Sequence, residues 1–172
     1  FADTTAFSEL QCYALCGDLT GIQQTNQRIA RLAQRFAGWR QFLVLGKCLE
    51  WRLLGDSEAA LESIEPTLLE IQPGVHASYA CLAACHVQLL CDLERAEAAL
   101  QSAEIYLEAC ECEQLSPAGF VVHVGAARAF ALAGDPARAV AVLERAIGIA
   151  RELGHGGVCI GSIYEARARL AL

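Results

Sequence analysis

The chain has 172 residues, of which 55% are hydrophobic and 19% are charged, and its formal net charge is −7. A chain of this length is predicted to form one domain, residues 1–172, with a sizeable core. The acidic balance excludes nucleic acid as the expected partner, because binding to phosphates needs a basic face. No uncharged apolar run reaches the roughly 20 residues that span a bilayer, and no secretory signal is recognisable. We therefore expect a cytoplasmic protein without a nucleic-acid or membrane partner.

The chain contains nine cysteines and no methionine. An odd number of cysteines argues against a disulfide framework, so we expect reduced thiols that mostly pack in the interior. The missing initiator methionine and the uncapped helical pattern at the C-terminal end predict a segment of a longer protein.

Apolar residues spaced by three and four predict helices throughout the chain. In chain order they cover residues 4–16, 19–36, 39–54, 57–72, 76–90, 93–110, 117–133, 136–153 and 158–172. The helix at 39–54 is apolar nearly all round, which predicts burial on more than one side. Pro66 should kink or split the fourth helix near Glu65. Residues 111–115 are predicted to be a loop, with Ser116 as the N-cap and Pro117 in the first turn of the next helix.

Pairs of these helices form hairpins, and the clearest is Ala126–Ala150. Its turn has Gly134 at a helix C-terminus, Asp135 as an N-cap and Pro136 in the first helical turn. An Asp after Gly or Cys recurs at intervals of 38, 36 and 43 residues, at Asp18, Asp56, Asp92 and Asp135. Small or bulky apolar residues recur at matching offsets around these positions. A period of this size with a helical hairpin in each unit indicates a solenoid.

These residues resemble the tetratricopeptide (TPR) family, which has a small residue and an aromatic in the first helix, Gly-Asp or similar at the turn, and Ala, a bulky apolar residue and Ala in the second. The intervals exceed the family's usual period of about 34 residues. They look more like the extended repeats fused to large bacterial signalling ATPases, transcriptional activators and Ser/Thr kinases. The resemblance implies an all-α, right-handed α-solenoid of TPR-like helical hairpins, with four hairpins and one orphan C-terminal helix.

In such arrays the first helix of each hairpin lines a concave groove that holds a peptide or a partner domain. Carried over by register, the resemblance implies a partner-binding groove, to which Phe7 and Gln11 of the first hairpin contribute. The later hairpins supply Phe42, Leu45, Leu49, Arg52, Cys81, Cys85, Gln88, Val121, Val124 and Arg128. Apolar anchors would be buried there and the two arginines would bind carboxylates. The alternative for each residue is packing against neighbouring repeats.

The residue types that carry catalysis or bind metals are scattered. Cys12 and Cys16, and also Cys81 and Cys85, are spaced like half of a zinc site, but neither pair has a second half nearby in sequence. No nucleophile–base arrangement is recognisable, so we expect no catalytic residues, no metal site and no cofactor. The sequence thus predicts a non-enzymatic interaction or regulatory sensor module of a larger bacterial signalling protein. Alternatives are a self-association element that forms a homo-oligomer, and a thiol or zinc sensor.

Overall fold

The computed structural model describes residues 5–111, 119–154 and 156–170. Within these ranges the regular structure is entirely helical, and no strand occurs. The α-helices are α1 Thr5–Cys16, α2 Leu19–Arg35, α3 Arg40–Leu53, α4 Ser57–Glu70, α5 Tyr79–Asp92, α6 Ala96–Glu111, α7 Phe120–Leu132, α8 Pro136–Glu152 and α9 Val158–Arg169. A short 3₁₀ turn, Ala37–Trp39, joins α2 to α3. The all-α class expected from the sequence is confirmed, whereas Ser116 and Pro117 lie outside the described residues.

By its internal contacts the chain divides into two compact units, Phe1–Glu70 and Ile71–Leu172. In unit 1, α2 packs between α1 and α3, α3 packs against α4, and α1 also touches α3. In unit 2, α5 contacts α6 and α7, α6 contacts α7, and α8 and α9 each contact α7 and one another. Within each unit, helices therefore pack mainly on their neighbours in sequence.

The turns inside the hairpins share one hydrogen-bond pattern. The amides of Asp18, Asp56 and Asp135 each donate to the carbonyl five residues earlier, at 2.9 Å, and each follows a glycine with positive φ. This is the Schellman arrangement that closes a helix C-terminus. The Asp18 and Asp135 side chains then accept from the backbone at the start of the next helix, at 2.9 Å each. The sequence prediction of these three turns agrees with the structure.

The third turn lies three residues later than the sequence indicates. There the amide of Arg95 donates to the carbonyl of Leu90 at 2.9 Å, and Glu94 has a φ of 56°. Asp92 is instead the last residue of α5. Because Glu94 adopts the left-handed conformation without being glycine, the Gly-Asp pattern misses this turn. With Arg95 as the reference, the intervals become 38, 39 and 40 residues.

The corrected register aligns the buried positions of the four hairpins. The residues four after each reference position are fully buried: Ile22, Ala60, Ala99 and Ala139. Those eight before it are buried as well: Leu10, Cys48, Val87 and Ala127. Because both positions are buried in every hairpin, they are apolar in every copy.

The structure bears on two predictions about individual helices. Pro66 does not split its helix, since α4 continues from Ser57 to Glu70. Pro66 and Glu62 are both exposed, so water can replace the backbone bond that proline removes. The helix predicted at 39–54 contacts α1, α2 and α4, as expected for a helix with more than one neighbour, although only Leu45, Gly46 and Cys48 in it are buried. In α5, by comparison, all but three of fourteen residues are buried.

Candidate interaction surfaces

In unit 1 the neighbouring first helices, α1 and α3, bring three half-buried aromatic side chains together. The ring of Phe7 in α1 lies 4.9 Å from that of Phe42 in α3, and Trp39 lies 5.1 Å from Phe42, centroid to centroid. These separations are typical of tilted aromatic pairs, and the three rings together form a continuous apolar surface. We name Phe7, Trp39 and Phe42 the aromatic face. Trp39 was not among the predicted groove residues, although it lies three residues before Phe42.

Leu49 and Arg52 extend this surface along α3. Both are half-buried, and their spacing from Phe42 places them on the same side of the helix. Leu45 is only 2% exposed and belongs to the interior of unit 1. Of the predicted groove residues in this unit, Phe42, Leu49 and Arg52 are accessible to a partner, whereas Leu45 is not.

In unit 2 the corresponding surface is formed by α5 and α7. Val121 and Val124 of α7 and Gln88 of α5 are half-buried, and Arg128 of α7 is exposed. Cys81 and Cys85 are buried in α5 and pack in the interior, so neither side chain is presented to a ligand. Six of the ten predicted groove residues lie in unit 2, and four of those six are accessible.

Arg128 is not the isolated donor that the sequence suggests. Its Nη1 lies 2.5 Å from Oδ1 of Asp92 and 3.5 Å from the backbone oxygen of Gln88. The pair joins α7 to α5 and orients the guanidinium along the surface. Sequence reasoning missed Asp92 because it assigned that residue to the turn. An incoming carboxylate would therefore compete with Asp92 for Arg128.

The thiols are divided between the interior and the surface. Cys48, Cys81, Cys85, Cys91 and Cys110 are buried, whereas Cys12 and Cys16 are exposed on α1. The Cys48 Sγ of α3 lies 3.4 Å from the carbonyl oxygen of Ala60 in α4, so this thiol packs between the two helices of its hairpin. In the part of the chain that the structure describes, no group of three or more His, Cys, Asp or Glu side chains is arranged to hold a metal ion. Cys112 lies outside it.

Two histidines help to pack the helices of unit 2. Nδ1 of His86 in α5 lies 3.0 Å from the hydroxyl of Tyr106 in α6, and the rings meet edge to face. His123 is buried in α7, where its Nδ1 lies 3.3 Å from the carbonyl oxygen of Gly119. A third, His76, lies 2.7 Å from Oγ of Ser78, which is fully buried beside the start of α5. Because Ser78 is inaccessible, this pair serves the helix start rather than a reaction.

None of the helices within the described ranges combines the length and the apolar character that crossing a membrane requires. Comparison of the chain with protein-family models, with curated proteins and with solved structures found no match. Within the described ranges, the two surfaces of α1 and α3 and of α5 and α7 are therefore the candidate functional sites.

Proposed function

We propose that the chain is a protein–protein interaction or regulatory sensor module of a larger bacterial signalling protein, built as a right-handed solenoid of TPR-like hairpins. It binds a peptide or a partner domain through the surfaces of its first helices and performs no catalysis itself. The regular spacing of the four Schellman turns and the packing of each helix on its sequence neighbours support the solenoid. Its location would be the cytoplasm.

The observation that carries the binding role is the aromatic face of unit 1. The Phe42 ring of α3 contacts Phe7 of α1 and Trp39 of the turn between α2 and α3, and all three side chains are only half-buried. Clustered aromatic side chains of this kind are the usual anchors of protein interfaces, because they contribute a large contact area for little lost conformational entropy. Leu49 and Arg52 next to the face would supply a further apolar contact and a charge.

A random-peptide display selection on the 172-residue chain tests the role. We expect the selected peptides to be amphipathic and to lose at least about tenfold in affinity, ~1.4 kcal/mol, with Phe42→Ala. The matched control is Phe36→Ala, which removes a more exposed ring outside the aromatic face. Peptides that bind equally well to the wild type and to Phe42→Ala would contradict the proposed surface, and turnover of any substrate by the chain would contradict the role.

A further inference from the structure

Charge is strongly segregated along the sequence of unit 1. Residues 28–52 carry six basic side chains and a single acidic one, Glu50, whereas residues 53–70 carry five acidic side chains and no basic one. The chain as a whole is acidic, so the basic stretch is a local exception. The two carboxylate oxygens of Glu50 accept hydrogen bonds from Gln23 and Asn26, in the first half of α2, at 2.9 and 3.0 Å.

The exposed basic residues gather where α2 ends and α3 begins. Arg31, Arg35 and Arg40 are exposed, and the guanidinium of Arg35 lies 5.7 Å from the centre of the Phe36 ring. Phe36 itself is 46% exposed, which is unusual for a large aromatic side chain. We name Arg31, Arg35, Phe36 and Arg40 the basic turn. It combines three exposed positive charges with one exposed aromatic ring.

The acidic residues form a stripe on α4. Glu58, Glu62, Glu65 and Leu69 follow one another at spacings of four, three and four, so they share one side of the helix. That side is opposite the buried residues Ala60 and Ile64. Leu69 is 89% exposed, and it is thus an apolar side chain at the end of a row of carboxylates. We name these four residues the acidic stripe.

Like charges lie next to each other in both features. Arg31 and Arg35 are separated by four residues on α2, and such a pair of like charges repels on a helix surface. A surface of opposite charge would relieve that repulsion. Each feature also has one exposed apolar side chain, Phe36 or Leu69, that a complementary surface would cover. The two features are therefore complementary in charge and in apolar character.

We propose that the basic turn of one copy of the chain binds the acidic stripe of a second copy, with Leu69 packed against Phe36. Because α3 and α4 form a hairpin, the end of α4 that carries Leu69 lies at the same end of unit 1 as the basic turn. A two-fold arrangement can then form both contacts at once, as isologous dimers do. The dimer does not involve the aromatic face, so its failure leaves the proposed function intact.

Charge reversal with mixing tests the dimer by sedimentation equilibrium on the full chain. One variant carries Arg35→Glu and Arg40→Glu, and the other carries Glu62→Arg and Glu65→Arg. We expect the wild type to self-associate at about 0.1 M salt and to dissociate toward monomer at about 1 M, where the screening length falls to about 3 Å. Each variant alone should associate at least about tenfold more weakly than the wild type. An equimolar mixture should recover dimers, because each reversed surface then meets its opposite.

A control variant with the same change in net charge as the Arg35→Glu and Arg40→Glu variant, Lys47→Glu with Arg145→Glu, should associate like the wild type, since both residues lie outside the two features. Circular dichroism checks that every variant keeps its helices; the substituted side chains are exposed, and the fold should tolerate them. A wild-type chain that stays monomeric over the whole accessible concentration range overturns the proposal. So does a mixture that associates no better than its separate components.

Discussion

The two units differ in how they fill the contacts between neighbouring helices. In the first hairpin of unit 1 the position eight residues after the turn is Asn26, a buried amide. The second hairpin of that unit has Ile64 at this position, and those of unit 2 have Ala103 and Leu143. Asn26 fits because its partner helix has Gly46 opposite: a Cβ there would lie 1.9 Å from the Asn26 Oδ1. In unit 2 the close approach is apolar, with Gly125 of α7 against Ala84 and Val87 of α5. One helical pattern thus permits either polar or apolar packing.

This difference shows what a buried polar residue in a helix–helix contact requires. A buried amide costs free energy unless it is hydrogen-bonded, and Asn26 meets that condition only in part: its Nδ2 donates to Glu50, whereas its buried Oδ1 has no hydrogen-bond partner among the described residues. Small apolar residues need no such partner, and they stabilise the contact by excluding water and packing closely. We therefore expect unit 1 to depend on a few specific groups, and unit 2 on filled volume.

The largest expected effect is in unit 2, on substitution of Phe130→Ala. Phe130 is fully buried, and its truncation should lower the free energy of unfolding by about 3–5 kcal/mol through lost burial and a residual cavity. Urea unfolding followed by circular dichroism measures it. Phe36→Ala removes the same ring from an exposed site and should cost less than about 1 kcal/mol. Equal losses in the two variants would show that unit 2 does not depend on filled volume.

A smaller effect is expected in unit 1 for Gly46→Ala. Alanine favours helix by about 1 kcal/mol over glycine, but its Cβ would overlap the Asn26 amide, so we expect a net loss of about 1–3 kcal/mol. Trp39 and Trp51 are the two tryptophans of the chain and both lie in unit 1, so tryptophan fluorescence follows this unit during urea unfolding.

The second-site variant Asn26→Ala checks the cause of that loss. In the Gly46→Ala background it removes the overlapping amide, and we expect the double variant to be at least as stable as Asn26→Ala alone. If Gly46→Ala is more stable than the wild type, the close contact between α2 and α3 is not a constraint on unit 1.

The smallest effect is expected for the matched change Gly125→Ala in unit 2. The added Cβ would lie 3.3 Å from the Ala84 carbonyl oxygen and 3.6 Å from Val87 Cβ, so a small shift accommodates it. The gain in helix propensity should offset that shift, leaving the free energy of unfolding within about 1 kcal/mol of the wild type. Urea unfolding by circular dichroism measures it. A loss as large as that of Gly46→Ala would remove the contrast between the units.

The candidate surface residues came from the register that the resemblance implies, and the buried ones among them have a specific cause. That register named Phe42, Leu49, Arg52, Gln88, Val121, Val124 and Arg128, which are half-buried or exposed. It could not distinguish these residues from Leu45, Cys81 and Cys85, which are buried, because periodicity gives a side of a helix but not how far a neighbour covers it. The Arg128–Asp92 pair was missed because it joins residues 36 positions apart on two helices.

The sequence alone determined the helical class, most helix ends and three of the four hairpin turns. These features depend on interactions within a few residues, such as the Asp18 and Asp135 caps and the glycines with positive φ. Only the tertiary structure placed the third turn at Arg95, showed α5 rather than α3 to be the most buried helix, and put Asn26 against Gly46. Those outcomes depend on which surfaces meet across distant parts of the chain, and local propensity carries no information about that.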